Sequence, residues 1–181
     1  PSGMASITLH NRQFKTYIPS KDVQKRVKEI AEQIAQDHRG EVPLFIAVLN
    51  GAFRFASDLM SYYSGEAEIT FIRLASYTGT QSTGKVRELA SLNADIRGRK
   101  VIILEDIVDT GRTIEHLMQK LKAAGPTDIR VASLLLKPDA YTGAHPIDYC
   151  GFEIPNLFVL GYGLDYDGLG RNLNDIYQIN P

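Results

Sequence analysis

The chain has 181 residues, enough for one domain with a proper core, and its 44% hydrophobic and 23% charged content is ordinary for a soluble fold. The formal net charge is −1, with 20 Lys and Arg interspersed among 21 Asp and Glu, so no basic stripe points to nucleic acid or to an acidic membrane. The apolar runs are too short to span a bilayer, the N terminus has no signal-peptide pattern, and the single cysteine, Cys150, allows no internal disulfide, so a cytoplasmic protein is expected.

Pro1-Ser2-Gly3 ahead of Met4 reads as an expression remnant, leaving residues 4–181 as the domain. Residues 7–18 are short and mixed and read as an edge strand. Ser20 is placed as the N-cap of a helix running to about His38, with Val23, Val27, Ile30, Ile34 and Ala35 on its apolar face. Pro43 to Leu49 is a buried strand, and Asn50-Gly51 turns into a second helix from Ala52 to about Tyr62. Ala67 to Leu74 alternates as a strand. The polar stretch Tyr77 to Lys85 reads as a mobile loop, with a strand from Val86 to Leu92 beside it.

Val101-Ile102-Ile103-Leu104 is a branched apolar run, as in a buried parallel strand. Glu105 and Asp106 are placed at its end, then Ile107-Val108, then Asp109-Thr110-Gly111-Arg112-Thr113, then a helix from Ile114 to Leu121 that Ala124-Gly125-Pro126 stops. The start of that helix offers N–H groups and a positive dipole end to a phosphate. The carboxylates suit ribose hydroxyls and magnesium. Asp-Thr-Gly by itself is more often a capped helix start; the whole block is what argues for a site. Ile129 to Leu136 is a further buried strand, Asp148 to Ile154 and Leu157 to Leu160 are short strands, and the tail beyond Gly161 is loop-rich. Alternating strands and helices imply an α/β fold with a parallel sheet covered on both faces, and a ligand at its carboxyl edge. The four histidines are scattered without metal-ligand spacing.

The block from Val101 to Thr113 resembles the 5-phosphoribosyl-1-pyrophosphate (PRPP) signature of the type I phosphoribosyltransferases. Leu49-Asn50-Gly51-Ala52, Ser76-Tyr77, Lys137-Pro138-Asp139 and Asn156 to Tyr166 with Arg171 are similar to its hypoxanthine-guanine branch. The resemblance implies a parallel core sheet flanked by helices, with a small hood mainly from about 138–181 and the N-terminal residues. It implies transfer of a phosphoribosyl group from PRPP to hypoxanthine or guanine, giving IMP or GMP and pyrophosphate, with Mg2+ as cofactor. Backbone N–H groups of Asp109, Thr110, Gly111, Arg112 and Thr113, with the Thr110 and Thr113 hydroxyls, would hold the 5′-phosphate, with Ile107 and Val108 completing the PRPP site. Glu105 and Asp106 would engage the ribose, and Asp109 would act as general base. Leu49, Asn50, Gly51 and Arg171 would bind pyrophosphate, through a turn that contains a cis peptide in the family.

Lys137 would donate to the purine 6-oxygen. Phe158 would stack on the base, Val159, Leu164 and Asp165 would complete its site, and Glu105, Asp106 and Asp165 would meet the metal. Ser76 and Tyr77 would open a loop that closes over the reaction. A homodimer or homotetramer is implied, without nucleic acid or membrane as partner. Asn50 and Arg112 depart from the lysine or arginine and the lysine common at those places in the family. A xanthine-preferring relative and a nucleotide-sensing regulator of the same fold are the alternatives.

Overall fold

A computed structural model describes residues 5–76, 86–90 and 95–180. The first elements are strands β1 (Ser6–Leu9) and β2 (Arg12–Ile18), joined by His10 and Asn11, both with positive φ. The expected single edge strand is thus a hairpin, and the polar His-Asn pair supplies its turn. Helix α1 follows (Ser20–Asp37), with Val23, Val27, Ile30, Ala31 and Ile34 buried, so Ala31 takes the core position expected for Ala35. Ser20 is the first helical residue and gives no side-chain cap. Its N–H donates instead to Asp175 Oδ1 at 2.6 Å, a carboxylate from the far end of the chain placed at the positive end of the helix.

Strand β3 (Leu44–Leu49), helix α2 (Phe53–Tyr62), and strands β4 (Glu68–Ser76) and β5 (Val86–Ala90) come next. They are followed by β6 (Lys100–Val108), α3 (Arg112–Ala123), β7 (Asp128–Leu136), β8 (Tyr149–Glu153), β9 (Val159–Leu160) and β10 (Ile176–Ile179). The large sheet has the order β5-β4-β3-β6-β7-β8; every pairing is parallel except that of β4 with β5. One face packs on α1 and α2 through Ile30, Ile34, Phe55, Leu59, Ile102 and Leu104. The other packs on α3 through Ile46, Ile103, Leu117, Met118, Leu121 and Val131. The side chain thus alternates from one core to the other along β6, which is why its run is apolar throughout.

A second, antiparallel sheet has the order β1-β2-β10-β9 and forms the hood. Two of its strands come from residues 6–18, and residues 149–153, inside the segment expected to supply the hood, pair with β7 in the core sheet. Phe14, Leu160 and Tyr177 make its own small core, while Ile18, Val159 and Ile176 join the main one. Among the described residues no helix is long and apolar enough to cross a membrane.

Candidate active site

Strand β6 does not end at Leu104. Its ladder with β7 continues to Val108, so Glu105 and Asp106 lie within the strand rather than after it. The Lys137 N–H donates to the Val108 carbonyl at 3.0 Å and extends that pairing to the strand tip. Gly111, with φ +93°, then turns the chain into α3, and the Glu115 N–H donates to the Gly111 carbonyl in the first turn. Thr110 Oγ1 accepts from the Arg112 N–H at 3.4 Å. Asp109, Thr110 and Arg112 are exposed around a hollow of about 90 Å³ that Glu105 also borders.

A second cavity, of about 250 Å³, opens beside it. Leu49, Gly51, Glu105, Asp106, Asp165 and Arg171 line it. The Leu49–Asn50 peptide bond is cis. Gly51 lies so close to the Asp106 carboxylate that a β-carbon there would collide with it, so only glycine lets the turn approach the acidic strand. Gly163 of the hood is pressed in the same way on the Gly51 carbonyl. Arg171 Nη1 donates to the Gly163 carbonyl at 2.6 Å, and its Nη2 lies 3.3 Å from Asp165 Oδ1. Hood and core therefore meet at the pyrophosphate turn expected from sequence. Asn50 itself is exposed.

The electrostatics of this junction are unusual for a surface cavity. Glu105 is 5% exposed, and its Oε1 has no hydrogen-bond partner. Burial, then the neighbouring Asp106 charge, pushes its carboxyl well above the ordinary range. Burial raises Asp106 to about 6; the Ile107 and Asp106 N–H groups and Arg171 pull the other way, and Asp165 adds to the rise. Glu105, held out of water beside Asp106, has a carboxylate oxygen that no group of the protein satisfies and that calls for a polar partner. A larger cavity of about 580 Å³ lies at the opposite, amino-terminal edge of the sheet, lined by residues such as Glu32, His38 and Tyr63, but it holds no such unpartnered group among the described residues.

The base-site residues fall into two groups. Lys137 is 9% exposed, and its Nζ is 3.4 Å from Asp109 Oδ2, so the structure joins the expected general base to the expected base-selecting cation. Phe158 is 44% exposed on the hood, with its ring edge-on to Tyr166 at 5.6 Å and tilted against Phe14 at 6.3 Å. The side chains of Val159 and Leu164 are buried, and the Leu164 N–H and carbonyl are both paired with Gly161. Ser76 is the last residue of β4, and Tyr77 lies outside the described residues.

Residues 15–167 match the phosphoribosyl transferase domain family. The hypoxanthine-guanine phosphoribosyltransferase of Mycobacterium tuberculosis strain H37Rv is 42% identical over 171 residues, covering 91% of this chain and 85% of that protein. That of Bacillus subtilis strain 168 is 35% identical over 168 residues, covering 92% of this chain and 93% of its own length. The chain belongs to the hypoxanthine-guanine phosphoribosyltransferase family. A crystal structure of such an enzyme from Bacillus anthracis superposes with a TM-score of 0.87 at 38% identity, covering 92% of this chain and 98% of the other. The bifunctional protein TilS/HprT of Listeria innocua is 37% identical over 175 residues, and the chain spans 27% of that longer protein. The type I phosphoribosyltransferase fold expected from the motifs is therefore the fold found, and within this family the two adjoining cavities lie at the carboxyl edge of the sheet, where the signature strand meets α3.

Several members of the site left no clear mark in the sequence. Arg54 of α2 stands over the fully buried ring of Tyr162, 5.0 Å from its centroid, and donates to the Leu173 carbonyl and to Asn174 Oδ1. The Tyr162 hydroxyl donates to Asp58 Oδ2 at 2.5 Å. These contacts bolt the hood loop to α2. The signal available was Gly161-Tyr162-Gly163, a large aromatic between two glycines, all three with positive φ.

Among the described residues no group of three or more His, Cys, Asp or Glu side chains is arranged to hold a metal ion. Asp106 and Asp165 nevertheless face one cavity with hard oxygen donors, the type magnesium takes when it arrives with a polyphosphate.

Proposed function

We propose that this protein transfers the 5-phosphoribosyl group of PRPP to hypoxanthine and guanine, releasing pyrophosphate and serving purine salvage. The observation that carries the reading is the adjacent carboxyls of Glu105, buried with an unpartnered oxygen, and Asp106, where the two cavities adjoin. A ribose placed between them has hydroxyls to donate to both. Its 5′-phosphate reaches the N–H groups at the start of α3, with the Thr110 and Thr113 hydroxyls beside them. Its pyrophosphate reaches Gly51 and Arg171. The oxygens of Asp106 and Asp165 would hold magnesium together with those of PRPP, and the ion supplies positive charge against the leaving pyrophosphate. Asp109 takes the proton from purine N7, and Lys137 donates to the 6-oxygen. Phe158 offers its exposed face to the ring.

Incubation with PRPP, Mg2+ and each of hypoxanthine, guanine, xanthine and adenine tests this by chromatography of the products. IMP and GMP are expected. Xanthosine monophosphate as the main product, or no nucleotide at all, would overturn the reading. The xanthine-preferring and regulatory alternatives gain nothing from the relatives found, which carry the hypoxanthine-guanine name.

The raised Asp106 carboxyl gives a signed pH dependence. Between its ordinary value of 3.8 and about 6, the folded chain holds a proton that the unfolded chain has lost. This group therefore makes the ligand-free fold less stable as pH rises through that window, and the penalty is constant above it. Ligand runs the other way, since ribose hydroxyls and magnesium bind the ionised form. PRPP affinity under saturating Mg2+ is expected to rise between pH 5.5 and 7.5, with about half a proton released by this group on binding near pH 6 and less as the pH rises further. Calorimetry in buffers of different ionisation enthalpy measures that proton, and Asp106→Asn should abolish it.

The pyrophosphate side gives a paired prediction. Asn50 is exposed, so a lysine there would make a solvated ion pair worth about 0–1 kcal/mol. Asn50→Lys should change the PRPP Michaelis constant by less than about fivefold, in keeping with that range. Arg171 is partly buried and already oriented by Gly163 and Asp165, and a charge-assisted contact of that kind contributes about 1.5–3 kcal/mol. Arg171→Ala should raise the same constant by more than about tenfold, the lower end of that contribution. A tenfold gain from Asn50→Lys, or indifference to Arg171→Ala, would show that pyrophosphate affinity comes from elsewhere.

A further inference from the structure

The segment after Lys137 runs back along the phosphate loop. Lys137 meets Val108 through its N–H and Asp109 through its ammonium. The Ala140 and Tyr141 N–H groups both donate to the Lys137 carbonyl at 3.1 Å, closing a tight turn. The Thr142 N–H then donates to the Thr110 carbonyl at 3.2 Å, and Thr142 Oγ1 reaches the same oxygen at 3.4 Å. Between these two anchors the Tyr141 ring lies against Gly111, its Cδ1–Cε1 edge so close that a β-carbon on Gly111 would strike Cε1. The phenol is itself tied down, donating to the His145 carbonyl.

We infer that Tyr141 is a positioning residue of the ribose-phosphate site, holding Gly111, and with it the N–H groups at the start of α3, in the geometry that receives the phosphate. The inference rests on the functional reading above and deepens it. Gly111 has a left-handed φ of +93°, open to glycine and therefore also easily lost by glycine, since its backbone has the widest range of alternatives. Something must limit that range if the loop is to be ready before PRPP arrives. The Thr142 bonds fix only the Thr110 carbonyl. A cavity of about 300 Å³, bordered by Ile114, Met118, His145 and Pro146, opens on the side of the loop where Tyr141 stands. Without the ring, that side of Gly111 would face this cavity, with only the Gly143 backbone near it. The bulk of the aromatic ring is therefore the feature that matters, and the hydroxyl serves to keep it in place.

The same turn carries Lys137, so base recognition and phosphate recognition share one rigid piece of chain. Tyr141 touches neither ligand. Its loss should act on the affinity for phosphate and leave the reacting groups intact.

Tyr141→Leu and Tyr141→Phe test this, with ribose 5-phosphate binding by calorimetry and steady-state kinetics in PRPP as readouts. The leucine variant should bind ribose 5-phosphate at least about tenfold more weakly and raise the PRPP Michaelis constant by a similar factor, with kcat within about twofold, the signature of lost preorganisation rather than lost chemistry. The phenylalanine variant keeps the ring and should stay within about twofold in both, by the same reasoning. A Gly111→Ala substitution adds a coupling readout. Its cost in ribose 5-phosphate affinity should be smaller in the Tyr141→Leu background than in the unmodified protein, because the two side chains no longer collide. Ribose 5-phosphate bound equally well by the unmodified protein and by Tyr141→Leu would overturn this inference alone. A phenylalanine variant as impaired as the leucine variant would also overturn it, since the ring would not be the working part. Failure of the unmodified protein to bind ribose 5-phosphate would overturn the functional reading and this inference together.

Discussion

Asp109→Asn is expected to lower kcat by about 10²- to 10⁴-fold, the usual contribution of a positioned general base, while PRPP affinity stays within a few fold. Asparagine keeps the size of the side chain and its oxygen acceptor but cannot take up a proton. Asp109 is the first residue beyond β6, and its side chain is about half exposed, as a group that must meet a substrate has to be. Lys137 holds one carboxylate oxygen at 3.4 Å, which leaves the other for the base. The phosphate, by contrast, would be bound in the proposed reading by main-chain N–H groups that the substitution does not touch. Single-turnover measurements separate the two effects, since they report the chemical step without product release. A mutant with unchanged single-turnover rate would remove Asp109 from the reaction. A mutant that loses PRPP binding in proportion to rate would make it a binding residue instead.

The strand, acidic pair, turn and helix of the central block were legible because their signals are local. A run of branched apolar residues, a glycine free to take positive φ and an amphipathic helix follow one another within about two dozen residues. The same locality explains what was missed. Asp175 caps α1 from 155 residues away, so Ser20, a good cap by type, was the natural but wrong choice. β2 pairs with β10, with Phe14 opposite Ile179, and no pattern near Phe14 announces that partner. Where β6 ends is likewise decided by β7 beside it, not by the arrival of charged residues in the run. At the site, residue types point to Glu105 and Asp106, but the close approach of Gly51 to the Asp106 carboxylate joins segments more than fifty residues apart. Composition names the groups; the fold raises their carboxyls above the ordinary range.

Adenine should be a very poor substrate, with kcat/KM at least about 10³-fold below that of hypoxanthine, because a site built to donate to an oxygen rejects a base that offers none there. Lys137 stands at the end of β7 with its main chain pinned to Val108 and its side chain only 11% exposed. An ammonium has three donors and no acceptor. The 6-oxygen of hypoxanthine or guanine accepts one of those protons. The 6-amino group of adenine turns its own hydrogens toward the cation, and the ammonium, largely out of water, is left with an unmet bond and an opposing dipole. Lys137→Met preserves the packing of the stem and removes the charge; Asp109, half exposed, can then be hydrated, so the fold should survive. In that variant hypoxanthine should lose most of its advantage, chiefly through kcat/KM, and adenine should change little, bringing the ratio below about 10²-fold once the discriminating bond is gone. Adenine used within about tenfold of hypoxanthine by the unmodified protein would refute the role given to Lys137, because the discrimination expected of such a bond would be missing. An undiminished ratio in Lys137→Met would take the discrimination away from Lys137 and assign it to another polar group of the purine site.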